Sequence, residues 1–100
     1  MTRERLPNRR RNESFEFFHA GLAFTASVGF FEDGRLGELF LSSHKPGSPI
    51  EAIARDSAIM ASLALQFGAT LETIRAALTK DHDGQPATLL GAALALAEAP

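Results

Sequence analysis

The chain has 100 residues, 45% hydrophobic and 22% charged, which fits one domain with a modest core and excludes a wholly disordered polymer. It has no cysteine, which excludes disulfides, thiolate metal sites, iron–sulfur clusters and cysteine nucleophiles. The net charge is −2 and unevenly spread: residues 1–12 carry Arg3, Arg5, Arg9, Arg10 and Arg11 against Glu4, a local +4, so the remaining residues carry −6.

No run approaches the ~18–20 apolar residues that span a bilayer. No apolar segment follows the N-terminal arginines as it would in a secretory signal. A cytoplasmic protein with no membrane contact is therefore expected.

Residues 1–12 have no hydrophobic period, and Pro7-Asn8 interrupts any helix. They read as a basic N-terminal arm ahead of a single domain over residues 13–100. Arg9, Arg10 and Arg11 can hold phosphates by charge, or pair with acids of the body. The acidic body and the absence of Trp and Tyr argue against a nucleic-acid partner.

From Ser14 the apolar period is two, predicting three antiparallel strands at about 14–19, 22–31 and 36–42. Ala20-Gly21 and Asp33-Gly34 read as two-residue hairpin turns. Pairing outward from the first sets Phe17 opposite Phe24 and Phe15 opposite Ala26. Pairing outward from the second sets Val28 opposite Leu39 and Ala26 opposite Leu41. Both registers place one apolar face toward a core. The other face would carry Phe18, Phe31, Leu36 and Phe40, an interface that a second copy, the arm or the last helix could cover, and at this chain size a homodimer is the expected arrangement.

Three helices are predicted next, at about 49–67, 71–80 and 87–98. The first dominates the chain: Ser48 as N-cap, Pro49 at the first position and Glu51 at the third spell a capping box, and Gly68 ends it. Its polar residues Glu51, Arg55, Ser62 and Gln66 fall on one narrow line at about 100° per residue. The rest is so apolar that packing on more than one side is expected. The fold class is therefore α+β, a three-stranded antiparallel meander followed by three helices on one sheet face.

Lys45 and Ser48 precede the long helix, where free N–H groups and the helix dipole receive anions. The P-loop spacing is missing, and capping by Ser48 accounts for the same residues without a ligand. Asp56 lies about 110° from the polar line, a candidate buried carboxylate in need of a partner. A structural pair outweighs a catalytic acid, since no second acid–base group converges on it. His19, His44 and His82 are scattered and complete no metal set. No catalytic residue, metal or cofactor is indicated.

Arg5-Leu6-Pro7-Asn8-Arg9-Arg10, Asp33-Gly34-Arg35 with Glu38-Leu39-Phe40-Leu41, Lys45-Pro46-Gly47-Ser48, Ala54-Arg55-Asp56 and Ser62-Leu63-Ala64-Leu65-Gln66-Phe67-Gly68 occur in this order. Together they resemble the TSCPD domain, found near the C-terminus of adenosylcobalamin-dependent ribonucleotide reductases and as short stand-alone proteins. The likeness covers about Arg5 to Leu96. The segment that names the family falls at Thr88-Leu89-Leu90-Gly91-Ala92, without its cysteine or proline, so no thiol or metal role transfers. Ribonucleotide reduction needs cysteines that this chain lacks. The resemblance implies a non-catalytic module associated with ribonucleotide reductase. The alternative is a small nucleotide- or phosphate-binding protein using Arg9, Arg10, Arg11, Lys45 and the helix start at Ser48.

Overall fold

The computed structural model describes residues 2–97. Strands β1 (Asn12–His19), β2 (Leu22–Phe30) and β3 (Leu36–Ser43) form one antiparallel sheet in the order β1-β2-β3. Helices α1 (Pro49–Gln66), α2 (Leu71–Ala77) and α3 (Leu89–Ala97) follow, so the expected α+β meander with three helices is the fold found. Helix α2 stops short of the predicted Lys80, because Leu78 turns to an extended conformation and Lys80 bridges to Pro86. Helix α3 starts after Thr88, whose Oγ1 accepts from the Gly91 N–H at 3.2 Å. Glu98, the expected end of that helix, lies outside the described residues.

The first hairpin follows its sequence. Ala20 and Gly21 both take positive φ (52° and 78°), as a primed two-residue turn requires. Phe17 pairs with Phe24 and Phe15 with Ala26.

The second hairpin departs from the expected turn and still reaches the expected register. Phe31 N–H donates to the Arg35 carbonyl (2.8 Å) and Gly34 N–H to the Phe31 carbonyl (2.9 Å), closing a three-residue loop with Gly34 at φ 92°. That loop alone would slip every later pair by one. Gly37 corrects it: Phe30 pairs with Leu36 and Gly29 with Glu38, so Gly37 is an extra, bulged residue. Beyond the bulge Val28 faces Leu39 and Ala26 faces Leu41, as predicted. Leu36, on the loop side, is turned over and joins the core beside Phe30.

The core lies on one sheet face, where Phe17, Phe24, Ala26, Val28, Leu39 and Leu41 are closed over by α1 and α3. Helix α1 presents Ala54, Ala58, Ala61 and Leu65 on one line, and these small residues let it lie close to the sheet. From α3, Leu89, Ala93 and Leu94 fill the remaining space, while α2 adds only partly buried Leu71 and Ile74.

This placement rotates α1 away from the orientation its composition suggests. Glu51 and Gln66 are buried, whereas Ile53, Ile59, Met60 (66% exposed) and Phe67 face outward. Packing of α1 on more than one side is thus not what is found among the described residues. The alanine line takes the core, and the polar line beside it turns toward β3.

Candidate functional site

Strand β3 is a sheet edge, and its outward N–H and C=O groups need partners. Helix α1 supplies them from its polar line. Ser43 N–H and Oγ donate to the Glu51 carboxylate at 2.7 and 2.8 Å. Ser62 Oγ accepts from Leu39 N–H at 2.8 Å and donates to Leu39 O at 3.0 Å. Gln66 Nε2 donates to Gly37 O at 3.0 Å. A helix has replaced the missing fourth strand, with side chains standing in for a ladder.

Glu51 is therefore only half of the predicted capping box. Its N–H does donate to Ser48 Oγ (3.2 Å), but its carboxylate reaches Ser43 and Arg55 rather than the Ser48 N–H, which donates to Lys45 O. Hydrogen bonds from Ser43, hydroxyl first and amide second, and then Arg55 hold the Glu51 carboxyl below its ordinary pKa.

The N-terminal arm closes on the other end of the same edge. Glu4 N–H donates to the Gln66 carbonyl (2.7 Å) and Arg3 Nε to Gln66 Oε1 (2.6 Å). Arg10 forms a two-pronged pair with Glu38, Nε to Oε2 at 2.5 Å and Nη2 to Oε1 at 3.2 Å. Arg35 donates to both Glu4 oxygens (3.1 and 3.0 Å) and to Asp33 (2.7 Å), and its guanidinium lies 4.6 Å over the Phe31 ring. The Asp33 carboxyl is held below its ordinary pKa by those Arg35 hydrogen bonds.

The anion-site candidates do not converge. Arg10 is spent on Glu38, and Arg11 lies 3.9 Å over Phe30 with Glu13 at 3.4 Å. Arg9 is exposed beside them. Lys45 and Ser48 follow the far end of β3, and the five-residue step from Glu38 to Ser43 alone is roughly 16 Å. Ser48 acts as a cap, its Oγ accepting from the Glu51 N–H at 3.2 Å and donating to Lys45 O at 2.7 Å. A cavity of about 690 Å³ does open beside Arg11, between the β2–β3 loop and the α1–α2 turn. Its floor includes Phe30, Leu36, Leu65 and Leu71, and Arg11, Arg35, Glu13 and Glu72 also line it.

Other expected positions need correction. Asp56 is exposed rather than buried: with the alanine line on the core, its angle falls at the centre of the solvent face. Of the four interface candidates only Phe18 (77% exposed) and Phe40 (55%) remain open. Leu36 was inverted by the bulge at Gly37. Phe31 is buried beneath Arg35, and its ring and Leu6 both crowd the space where Gly37 has no side chain. Phe18 and Phe40 sit on opposite outer strands, so they form no single patch.

His44 Nε2 lies 3.1 Å from Thr25 Oγ1 and 3.6 Å from Glu16, and His82 contacts Asp83 in an exposed turn. Among the described residues no group of three or more His, Asp or Glu could hold a metal ion. The residues that sequence reasoning missed are Arg35, Glu38 and Gln66. Gln66 and Ser62 were visible as a polar line, but nothing in sequence said that an unpaired strand would face it.

Fold and site define the class: a small α+β domain in which a central helix and a basic arm both close on one sheet edge. No helix among the described residues is long and apolar enough to cross a membrane. The chain is 40% identical over 77 residues to a vitamin B12-dependent ribonucleotide reductase of Agrobacterium fabrum, covering 77% of this chain and 6% of that protein. A second such reductase, from Bradyrhizobium diazoefficiens, is 36% identical over 70 residues, and one from Rhodopirellula baltica is 40% identical over 72. These alignments cover 70% and 72% of this chain and 6% and 7% of the two reductases. The chain is thus similar to a short segment of much longer enzymes. No family model matches it, and no solved structure does.

Proposed function

We propose that this chain is a non-catalytic TSCPD-like module of the ribonucleotide reductase system, acting in the cytoplasm as an assembly or accessory domain. The observation that carries the reading is the 40% identity over 77 residues to a segment of a vitamin B12-dependent reductase. A reductase needs cysteines, and this chain has none, so its contribution is to binding rather than to the reaction. The outward face of α1, with Ile53, Ile59, Met60 and Phe67, is the apolar surface that supports an assembly role, for a reductase chain or a second copy. The test mixes the purified chain with an adenosylcobalamin-dependent ribonucleotide reductase and follows size-exclusion chromatography with light scattering. A stoichiometric complex is expected. Separate elution at tens of micromolar of each, with both proteins folded, overturns the reading.

The second reading is a small nucleotide- or phosphate-binding protein. It is favoured by the cavity that Arg11 and Arg35 line over an apolar floor, and no longer by Lys45 or Ser48. A nucleotide held there raises the melting temperature by mass action, and less so at high salt. A thermal-shift series with nucleotides that moves nothing removes it.

A further inference from the structure

The arm is recognised by a groove built for it. Gly37 leaves a notch: a Cβ there would lie 2.8 Å from Leu6 Cδ2 and 2.9 Å from the Phe31 ring, so the arm's Leu6 occupies space that only glycine leaves open. Beside the notch, buried Gln66 offers its side-chain oxygen to Arg3 and its carbonyl to the Glu4 N–H. Arg35 meets the Glu4 carboxylate from the loop side. The receptor thus reads Arg3, Glu4 and Leu6 in sequence with an amide, a cation and a notch.

Among the described residues the arm over residues 3–7 has one further hydrogen bond, from Arg10 Nη1 to the Pro7 carbonyl at 2.8 Å. Thr2–Arg5 are exposed and Leu6 and Pro7 only half-buried, so opening it exposes little apolar surface beyond Phe31. The chain bends at Asn8–Arg9, directly after Pro7, and the Arg10–Glu38 pair anchors the far side of that bend. The Glu38 side chain is 7% exposed, and among the described residues its only hydrogen bonds come from Arg10. Residues 3–7 can therefore swing out about Asn8–Arg9, giving up the Arg10–Pro7 hydrogen bond while the Arg10–Glu38 pair stays in place.

We infer that the groove accepts the arm of a second copy of this chain, so that two chains associate by exchanging residues 3–7. Exchange keeps the contacts of Arg3, Glu4 and Leu6 with the groove and changes only which chain supplies them. In one chain the arm meets its own groove at an effective concentration of roughly millimolar. Exchange between wild-type chains accordingly becomes appreciable only near that concentration, or where other contacts already hold two copies together. The inference stands apart from the reductase reading, since it requires two copies of this chain and nothing else.

Charge reversal on the exposed Glu4–Arg35 pair tests it. The Glu4→Arg arm is repelled by its own groove, and the Arg35→Glu groove repels its own arm. In a mixture each arm matches the other chain's groove. Light scattering and native mass spectrometry at 1:1 should show a heterodimer whose fraction is several-fold above the dimer fraction of either variant alone. The double variant E4R/R35E, matched within one chain, should return to monomer. A fluorescent peptide of residues 2–8 provides a second readout: the wild-type peptide should bind the Glu4→Arg chain, and the peptide carrying Glu4→Arg should bind the Arg35→Glu chain. Folded variants that give no heterodimer at about 1 mM and bind neither peptide overturn the proposal.

Discussion

Ser62 and Leu39 exchange two hydrogen bonds, the Leu39 N–H donating to the serine hydroxyl and that hydroxyl donating to the Leu39 carbonyl. One side chain thus satisfies both outward groups of a residue in the middle of an edge strand, as a neighbouring strand would. The Ser62→Ala variant leaves both groups facing a helix. It is expected to lose about 1–3 kcal/mol in urea unfolding, whereas exposed Ser→Ala changes elsewhere stay within about 0.5 kcal/mol.

Glu51 ties the opposite end of the seam, and its sign with pH follows from its depressed carboxyl. Its stabilisation is fully present above the unfolded glutamate value, about 4.3, and is lost as pH falls through the lower folded value. The Glu51→Gln variant should therefore be less stable at neutral pH and show a shallower acid decline, as thermal melts across pH 2–6 would reveal, roughly spanning the carboxylate range.

Gly29 lies directly across from Glu38, and a methyl group there would occupy the position of the Glu38 carboxylate. Gly29→Ala must push Glu38 off Arg10. Hydrogen exchange at the Glu4 amide, which donates to Gln66, should accelerate several-fold as the arm loosens. The Val28 and Leu39 amides should keep their protection.

The outward stripe of α1, with Ile53, Ile59, Met60 and Phe67, is exposed and stays outside the core. The Ile53→Lys/Met60→Lys double variant should fold with a stability within about 0.5 kcal/mol of the parent for each change. It should also lose co-elution with the reductase if that surface carries the assembly. Unchanged co-elution would move the contact elsewhere.

Strand positions, both hairpin registers and the start of α1 were legible because they rest on local rules: a period of two, turn residues at fixed offsets, and a serine before a proline. Phe17 opposite Phe24 and Val28 opposite Leu39 follow from counting outward from a turn. The second count came out right although its turn was wrong, since the three-residue loop and the bulge at Gly37 offset one another. Leu36, between the two, was the residue that counting misplaced.

The sequence by itself determined the order of the elements, the apolar face of the sheet and the existence of a polar line on α1. It also excluded thiol chemistry outright. Only the tertiary structure decided which way α1 turns, because two of its faces are apolar and helical periodicity ranks neither above the other. What broke the tie was the unpaired backbone of β3: buried N–H and C=O groups must be bonded, and Glu51, Ser62 and Gln66 were the side chains able to do it. The same need sent Asp56 into solvent and gave the arm's Arg3 and Glu4 a fixed partner in Gln66.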